Sequence, residues 1–405
     1  MTSSTKEIAL GEVCEIKQGR YLAPSDMESS PTIKNSVPVV GGNGVLGYTN
    51  ETTFKFSVPL VTCRGSKCGL MQWAESPTWI SNNAMAVYFK EGEGDNFFLH
   101  QYLLQTSFED VTTGSAQPQI TITNLSQKRL QLPDVTTQRV ISRIMKAIQE
   151  KIQTNKRLAK TLEDIAQTIF KSWFIDFDPV RAKMAGEKPA GMDDATAELF
   201  PDSMEESELG EIPAGWKVGD LGELCHLTMG QSPPGDAYNL SGEGLPFYQG
   251  RTDFGMRFPK TRMYSTLGNR KASPGDVLVS VRAPVGDLNQ ALEECVIGRG
   301  VAAVIHRSGS QAYSYSLMQS IQHRLEYFNG EGTVFGAINK TDFSSIPLVE
   351  PPVELLNRFD ELASPVNGLL RSLHEQSQNL AATRDALLPR LISGELEVPE
   401  DLLVS

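Results

Sequence analysis

The stretch Leu10-Gly-Glu-Val-Cys14 returns as Leu221-Gly-Glu-Leu-Cys225, an offset of 211 residues. Self-similarity at a fixed spacing marks a duplicated architecture, and working outward from this pair the correspondence widens. Pro38-x3-Gly42-x4-Gly47 returns as Pro246-x3-Gly250-x4-Gly255 at an offset of 208. Val61-Thr-Cys-Arg64 aligns with Val279-Ser-Val-Arg282 at 218, and residues 80–87 align with 297–304 at 217. From Gly114 onward the offset stays at 218, placing Gly114, Ile120, Leu125 and Leu132 on Gly332, Ile338, Phe343 and Glu350. The same register carries Ile141, Ile144, Ile148, Leu162, Ile169 and Phe170 onto Phe359, Leu362, Val366, Leu380, Leu387 and Leu388. Single matches arise by chance; one register held this far does not. The chain is read as a tandem duplication.

Each copy opens with short β-branched or aromatic runs (VPVV, VPLVTC, AMAVYF; DVLVSV, GVAAVI) punctuated by Gly, Pro and Asn, which is the pattern of strands joined by turns. One helix is expected near 97–105, with a counterpart near 313–328. Each copy closes with a long helix. Ile141, Ile144, Ile148, Lys151, Asn155, Leu158, Leu162, Ile165 and Ile169 alternate in steps of three and four. So do Phe359, Leu362, Val366, Leu369, Leu373, Gln376, Leu380, Thr383 and Leu387. Two such seams in one chain pair most simply as an intramolecular antiparallel coiled coil. Polar seam residues fix register at a cost in stability, so Lys151, Asn155, Gln376 and Thr383 are expected register markers. The expected fold class is α+β: a tandem duplication of a β-rich domain plus a long helix, with pseudo-twofold symmetry. The expected domains are 1–135, helix 136–174, connector 175–217, 218–352, helix 353–392 and a tail 393–405.

The chain has 405 residues, a formal net charge of −12, 40% hydrophobic and 21% charged residues, the profile of a folded globular protein. No apolar run approaches the ~20 residues of a membrane span. The opening MTSSTKEIALGEV has neither a basic n-region nor an apolar h-region. Five widely spaced cysteines make neither a disulfide framework nor a zinc site. The expectation is a reduced, cytoplasmic protein with no metal or cofactor and no membrane partner. Residues 175–220 carry 4 basic and 12 acidic residues, so most of the net negative charge lies in the connector. The β-rich parts are near neutral, which removes the usual objection to nucleic-acid binding.

Gly42-Asn-Gly44-Val-Leu-Gly47 matches GxGxxG, but strand-like residues follow it where a dinucleotide site needs a helix. A glycine-dependent turn is the better reading. There is no GxxxxGK[ST], HExxH or GxSxG, and no amino-methyltransferase motif, the nearest miss being Ser232-Pro-Pro-Gly235. The five histidines have no neighbours at ligand spacing, and Cys14 and Cys225 read as small buried hydrophobes. Residues 249–271 hold Arg251, Arg257, Lys260, Arg262, Arg270 and Lys271 against one acid, interleaved with aromatic residues. Arginine reads guanine bidentately, and Lys and Arg neutralise phosphates. With Gln249 and Arg282 these form one candidate DNA-binding set. Asn43, Tyr48, Arg64 and Lys67 form the other. Arg64 and Arg282 share one register, as a phosphate or backbone contact or as a structural salt bridge. A basic helix exterior (Arg139, Arg143, Lys146, Lys156, Arg157, Lys160) reads as a solvated face or as a contact for DNA or a partner subunit. The alternative overall reading is a coiled-coil scaffold with two ligand-binding β-domains that never touches DNA.

The paired LGE openings, the block Leu162-Glu-Asp-Ile-Ala-Gln-Thr-Ile-Phe-Lys-Ser-Trp-Phe-Ile-Asp-Phe-Asp-Pro-Val180 and the closing Ala386-Leu-Leu-Pro-Arg-Leu-Ile-Ser-Gly-Glu-Leu396 resemble the specificity subunit of type I restriction–modification enzymes. Residues 332–352 resemble the strand leading into a family helix. The resemblance implies two target-recognition domains, each reading one half of a bipartite duplex site, with the helices as an antiparallel spacer. It also implies two docked modification subunits carrying adenine methylation and S-adenosylmethionine, and restriction subunits that translocate and cut DNA with ATP. The chain itself then supplies specificity and no catalysis. A helix over 138–173 is roughly 54 Å long, against about 34 Å for ten base pairs. The resemblance does not transfer base-reading residues.

Overall fold

The computed structural model describes residues 5–114, 116–329 and 336–399 together with Leu402. Gly332, and with it the start of the 332–352 block, lies outside the described residues. The chain divides into two compact units, Met1–Gln153 with Ser377–Ser405, and Thr154–Gln376. The division runs through both long helices, because each helix half packs on the β-rich part of its own unit.

In the first unit the strand Lys6–Ala9 pairs antiparallel with Arg129–Leu132, and the one-turn helix Leu10–Val13 follows it. A four-stranded antiparallel sheet has the order Cys14–Gln18, Ala84–Phe89, Val58–Thr62, Met71–Ala74. Its central strands Ala84–Phe89 and Val58–Thr62 are buried along their whole length, which is why they read as unbroken apolar runs. A smaller sheet joins Val37–Gly41 to Gly44–Thr49 by a hairpin and to Trp79–Ile80 in parallel. The helix Asn96–Leu104 is capped by Asp95, whose carboxylate accepts from Phe98 N at 2.9 Å.

The second unit repeats this path. Lys217–Asp220 pairs with Pro347–Glu350, the one-turn helix is Leu221–Leu224, and the four-stranded sheet runs Cys225–Met229, Val301–His306, Val277–Ser280, Leu288–Gln290. The parallel pair recurs as Leu245–Tyr248 with Cys295–Ile297, in a sheet enlarged to five strands. The helix Gln311–Ser320 is capped by Ser310. Donor and acceptor are exchanged between copies at this cap. Ser142 of the long helix donates to cap residue Asp95 in the first unit, whereas cap residue Ser310 donates to Asp360 of the long helix in the second.

The long helices are Val135–Phe174 and Val353–Ser393. Within the second unit Phe170 meets Phe359 at 5.7 Å and Asn155 meets Gln376 at 2.7 Å, so the two helices run antiparallel. Within the first unit Ile141 and Met145 share a core with Leu388 and Leu391. The seam differs from the expected one by about a residue. Lys151, Leu158, Ile165, Leu362, Leu369 and Thr383 are exposed, while Ile152, Leu356, Ala363 and Leu370 are buried. A helix packed on both a partner helix and a β-domain buries a stripe wider than a strict 3.5-residue seam. Of the four expected register markers, Asn155 and Gln376 meet and Lys151 and Thr383 face solvent.

The 175–217 stretch is a packed element of the second unit. It forms helices Asp178–Met184 and Asp194–Glu198 and the hairpin Met204–Ser207/Gly210–Pro213. Phe177, Val180, Phe200, Ile212 and Trp216 enter the core beside Phe174 and Leu221. Large apolar residues at irregular spacing carry no periodic signal, so the sequence reads as a linker.

Candidate nucleic-acid interface

In each unit three backbone segments converge at one edge of the sheets. In the first, Ser81 N donates to Val40 O and Cys63 N to Asn83 O, both at 2.9 Å, and Thr62 Oγ1 donates to Gly42 O at 2.6 Å. These bonds hold the hairpin tip Gly42-Asn43, the end of Val58–Thr62 and the loop 81–83 together. In the second unit Gly298 N donates to Tyr248 O at 2.8 Å and Val281 N to Gly300 O at 2.9 Å. The first strand of the four-stranded sheet is followed by a glycine in both copies. A Cβ on Gly19 would lie 2.1 Å from Ser81 O, and one on Gly230 would lie 2.2 Å from Gly298 O. Only glycine permits that approach.

Arg64 and Arg282 stand at the same point of this frame. Arg64 bridges Gln119 and Arg282 bridges Ala337. Their neighbours are bonded alike: Ile120 N to Cys63 O at 3.0 Å and Ile338 N to Val281 O at 3.1 Å. Both side chains are exposed, and neither forms an ion pair among the described residues. Among the described residues neither arginine has the acidic partner that a salt bridge needs. Asn43 is exposed at the hairpin tip, Lys67 is exposed in the turn 65–69, and Tyr48 is half-buried in its strand. The GxGxxG segment is a hairpin with Gly41 opposite Gly44, whose φ is 108°.

The basic stretch 249–271 separates into two kinds of residue. Arg257 belongs to the interior: it is 8% exposed, bound to Glu163 at 2.8 Å, Asn367 at 2.8 Å and Gln290 at 3.2 Å, and stacked 3.2 Å from the Tyr315 ring centroid. An arginine so enclosed is not placed to meet DNA, which corrects its assignment to the candidate set. Charge and spacing carry no mark of burial, and the signal that would have told them apart is a carboxylate on a neighbouring helix, invisible in sequence. Arg262 binds the buried carboxylate of Asp253 at 2.5 Å, and that carboxylate also accepts from Gln249 N at 2.7 Å. Arg251 pairs with half-buried Asp287 at 2.8 Å, and Lys271 pairs with Glu294 at 3.2 Å at the surface. Lys260 and Arg270 are exposed.

Gln249, Arg251, Arg282 and Arg299 line one open depression with Ser232 and Thr252. Arg299 and Ser232 were absent from the sequence candidates; Arg299 lies twenty-eight residues beyond Lys271, outside any local cluster. The loop that carries it has no room for a side chain at Gly300, where a Cβ would lie 2.3 Å from Gln249 O. In the first unit Asn43, Arg64 and Asn82 occupy the positions that match Arg251, Arg282 and Arg299.

On the helix exteriors, Arg139, Arg143, Lys146, Lys156, Arg157 and Lys160 are exposed. Arg143 donates to Leu402 O at 2.9 Å, Lys146 lies 5.0 Å from the Phe97 ring and Lys160 pairs with Asp164 at 3.1 Å. Cys14, Cys225 and Cys295 are free and buried, and burial pushes each thiol up to about 12. Among the described residues no group of three or more His, Cys, Asp or Glu is placed to hold a metal, and no helix is long and apolar enough to cross a membrane.

Residues 3–164 match the family model described as the type I restriction modification DNA specificity domain. A protein of Methanocaldococcus jannaschii, carrying the provisional name of the MjaX type I restriction enzyme specificity subunit, is 29% identical over 289 residues. That alignment covers 70% of this chain and 62% of the relative, so the chain matches somewhat under two thirds of that relative's length. The HindI type I restriction enzyme specificity subunit of Haemophilus influenzae is 27% identical over 327 residues, covering 69% of this chain and 71% of the relative. Among solved structures, the S subunit of a type I restriction–modification system from M. genitalium matches over 96% of both chains with a TM-score of 0.60. At 14% identity that likeness establishes a shared fold.

Proposed function

We propose, from the premise that this chain belongs to the family of type I restriction–modification specificity subunits, that it selects the DNA sequence on which a methyltransferase complex acts. The relatives are named as specificity subunits, the non-catalytic members of such enzymes. In this reading each unit reads one half of a bipartite duplex site, and the long helices set the gap between halves. Modification subunits dock on the repeated parts and supply the adenine methylation, and restriction subunits complete the assembly.

The observation that carries this reading is the pair of matching edges. The two units share one hydrogen-bonded frame, yet Asn43 and Asn82 in the first stand where Arg251 and Arg299 stand in the second. A common frame with different exposed side chains is what reading two different half-sites requires. Both edges are open and cationic or amide-rich, which fits an extended polyanion better than a small ligand. The net negative charge of the chain fits a protein whose partners help to hold the duplex.

The test is selection from a random duplex library by the chain co-purified with its modification subunit. Two short conserved blocks separated by a fixed unselected gap are expected. Enrichment of one continuous motif, or of none with a complex that methylates DNA when given another specificity subunit, would overturn the proposal.

A further inference from the structure

Arg64 and Arg282 are the clearest chemical element shared by the two edges. They occupy one register, 218 residues apart, and their flanking peptide groups are tied down by equivalent bonds. Gly65 N donates to Pro118 O at 3.2 Å, and Ala283 N donates to Gly336 O at 2.8 Å. Each backbone is thus fixed on both sides of the arginine, while the side chain projects into solvent without an acidic partner among the described residues. Arg251 and Arg262, in the same region, are each already bound to a carboxylate.

A residue that is identical in two domains reading different sequences cannot tell those sequences apart. Phosphate is the charged DNA group that recurs at every step, and contacts to it set position and register without carrying sequence. The discriminating residues must instead be those that differ around the shared one. In the aligned segment these are Asn43, at the hairpin tip, and Arg251, which opens the short turn Arg251–Asp253 and pairs with Asp287, and in the adjoining loop Asn82 and Arg299. The substitution follows base chemistry: Asn pairs bidentately with adenine and Arg with guanine.

We propose that Arg64 and Arg282 are one phosphate clamp present in two copies, and that Arg299 beside the second clamp is a base-reading residue confined to one half-site. This division of labour rests on the DNA-reading function proposed above. The clamp sets where the duplex backbone lies on each edge, and the neighbouring side chains then meet base edges.

The experiment measures duplex binding by the full complex of this chain with its modification subunit, across a salt series, for wild type and for Arg64→Ala, Arg282→Ala, Arg64→Lys, Arg282→Lys and Arg299→Ala. The methylated motif produced by each is read in parallel. Each clamp alanine variant is expected to weaken target and non-target duplexes by the same factor and to lower the slope of log K against log[salt] by about 1. Its methylated motif stays unchanged, and the lysine variants keep the wild-type slope. Arg299→Ala is expected to relax a single position, a guanine, in one half-site. A clamp variant that alters the motif in one half-site with an unchanged slope would make that arginine a base contact and overturn the assignment. Unchanged affinity and slope in both alanine variants would overturn it too, as would unaltered specificity in Arg299→Ala for the reading role. A wild-type complex that methylates a motif but shows no salt-dependent binding defeats the clamp alone. A wild-type complex that binds no duplex at all defeats the function it rests on. Thermal melting of each variant separates loss of contact from loss of fold.

Discussion

The side-chain amide of Asn155 donates to Oε1 of Gln376 across 2.7 Å, with Asn155 only 1% exposed. Two polar residues thus meet in the seam between the antiparallel helices, where apolar residues would pack with more gain. Such a pair fixes which turn of one helix faces which turn of the other.

Asn155→Leu should therefore raise the urea midpoint, by an amount equivalent to about 1 kcal/mol, because leucine buries methyl groups and the exposed Gln376 returns to water. Equilibrium urea unfolding checks this. A lower midpoint would mean that the amide pair stabilises the fold as well as registering it.

Arg257 is a buried charge of the second unit, its side chain 8% exposed against Glu163 at 18%. Arg257→Met strands the carboxylate and should cost about 3–5 kcal/mol. Glu163→Gln keeps an acceptor and should cost less. Both variants should leave the methylated motif unchanged at temperatures where they remain folded, and a changed half-site would return Arg257 to the reading surface.

Asp253 holds the base of the 249–262 loop from two sides, through Gln249 N and Arg262. Asp253→Asn and Arg262→Ala should each relax one half-site only. Their effects should fall short of additivity in a double-mutant cycle, because each removes the same ion pair. Full additivity in binding would show that Arg262 acts on DNA independently of Asp253.

Gly300→Ala drives a methyl group to within 2.3 Å of a backbone oxygen at Gln249. The loop bearing Arg299 must shift, so recognition by the second unit should fall while the first half-site keeps its methylation specificity. Wild-type selectivity at both half-sites would show that this close approach does not position the edge.

The pH dependence follows from buried histidines. Burial, aided by Arg307, lowers His306 to about 4 from an ordinary 6.5, and burial alone lowers His100 to about 4. Between those values the unfolded chain binds protons that the folded chain excludes, so stability falls as pH drops from about 6.5 to about 4. His306 Nε2 has no hydrogen-bond partner, and its ring packs on Tyr313 at 5.0 Å. Replacing it with Phe should flatten part of the acid loss in melting temperature. An unchanged pH profile would show that His306 does not contribute to it.

The duplication, the β-rich class of each copy and the helical character of 135–174 and 353–393 were legible because they rest on repetition and periodicity, which survive in sequence. The seam was less so. Ile152 lies beside Lys151 and Leu158 beside Ala159, so one template fits two adjacent stripes, and only the β-domain packed alongside decides between them. The 175–217 stretch was misread because Phe177, Phe200 and Trp216 reach the core without any period. At the edges, the structural equivalence of Arg64 and Arg282 is legible in their shared register. Arg257 and Arg299 were not, since a buried ion pair and a loop brought in from a distant strand are properties of the tertiary fold.

The most direct test maps N6-methyladenine by single-molecule sequencing in cells carrying the cognate modification gene, with and without the gene for this chain. The account predicts one bipartite methylated motif that requires both genes, with a constant gap between its halves. Absence of new methylation, while the same modification subunit is active with another specificity subunit, would contradict it.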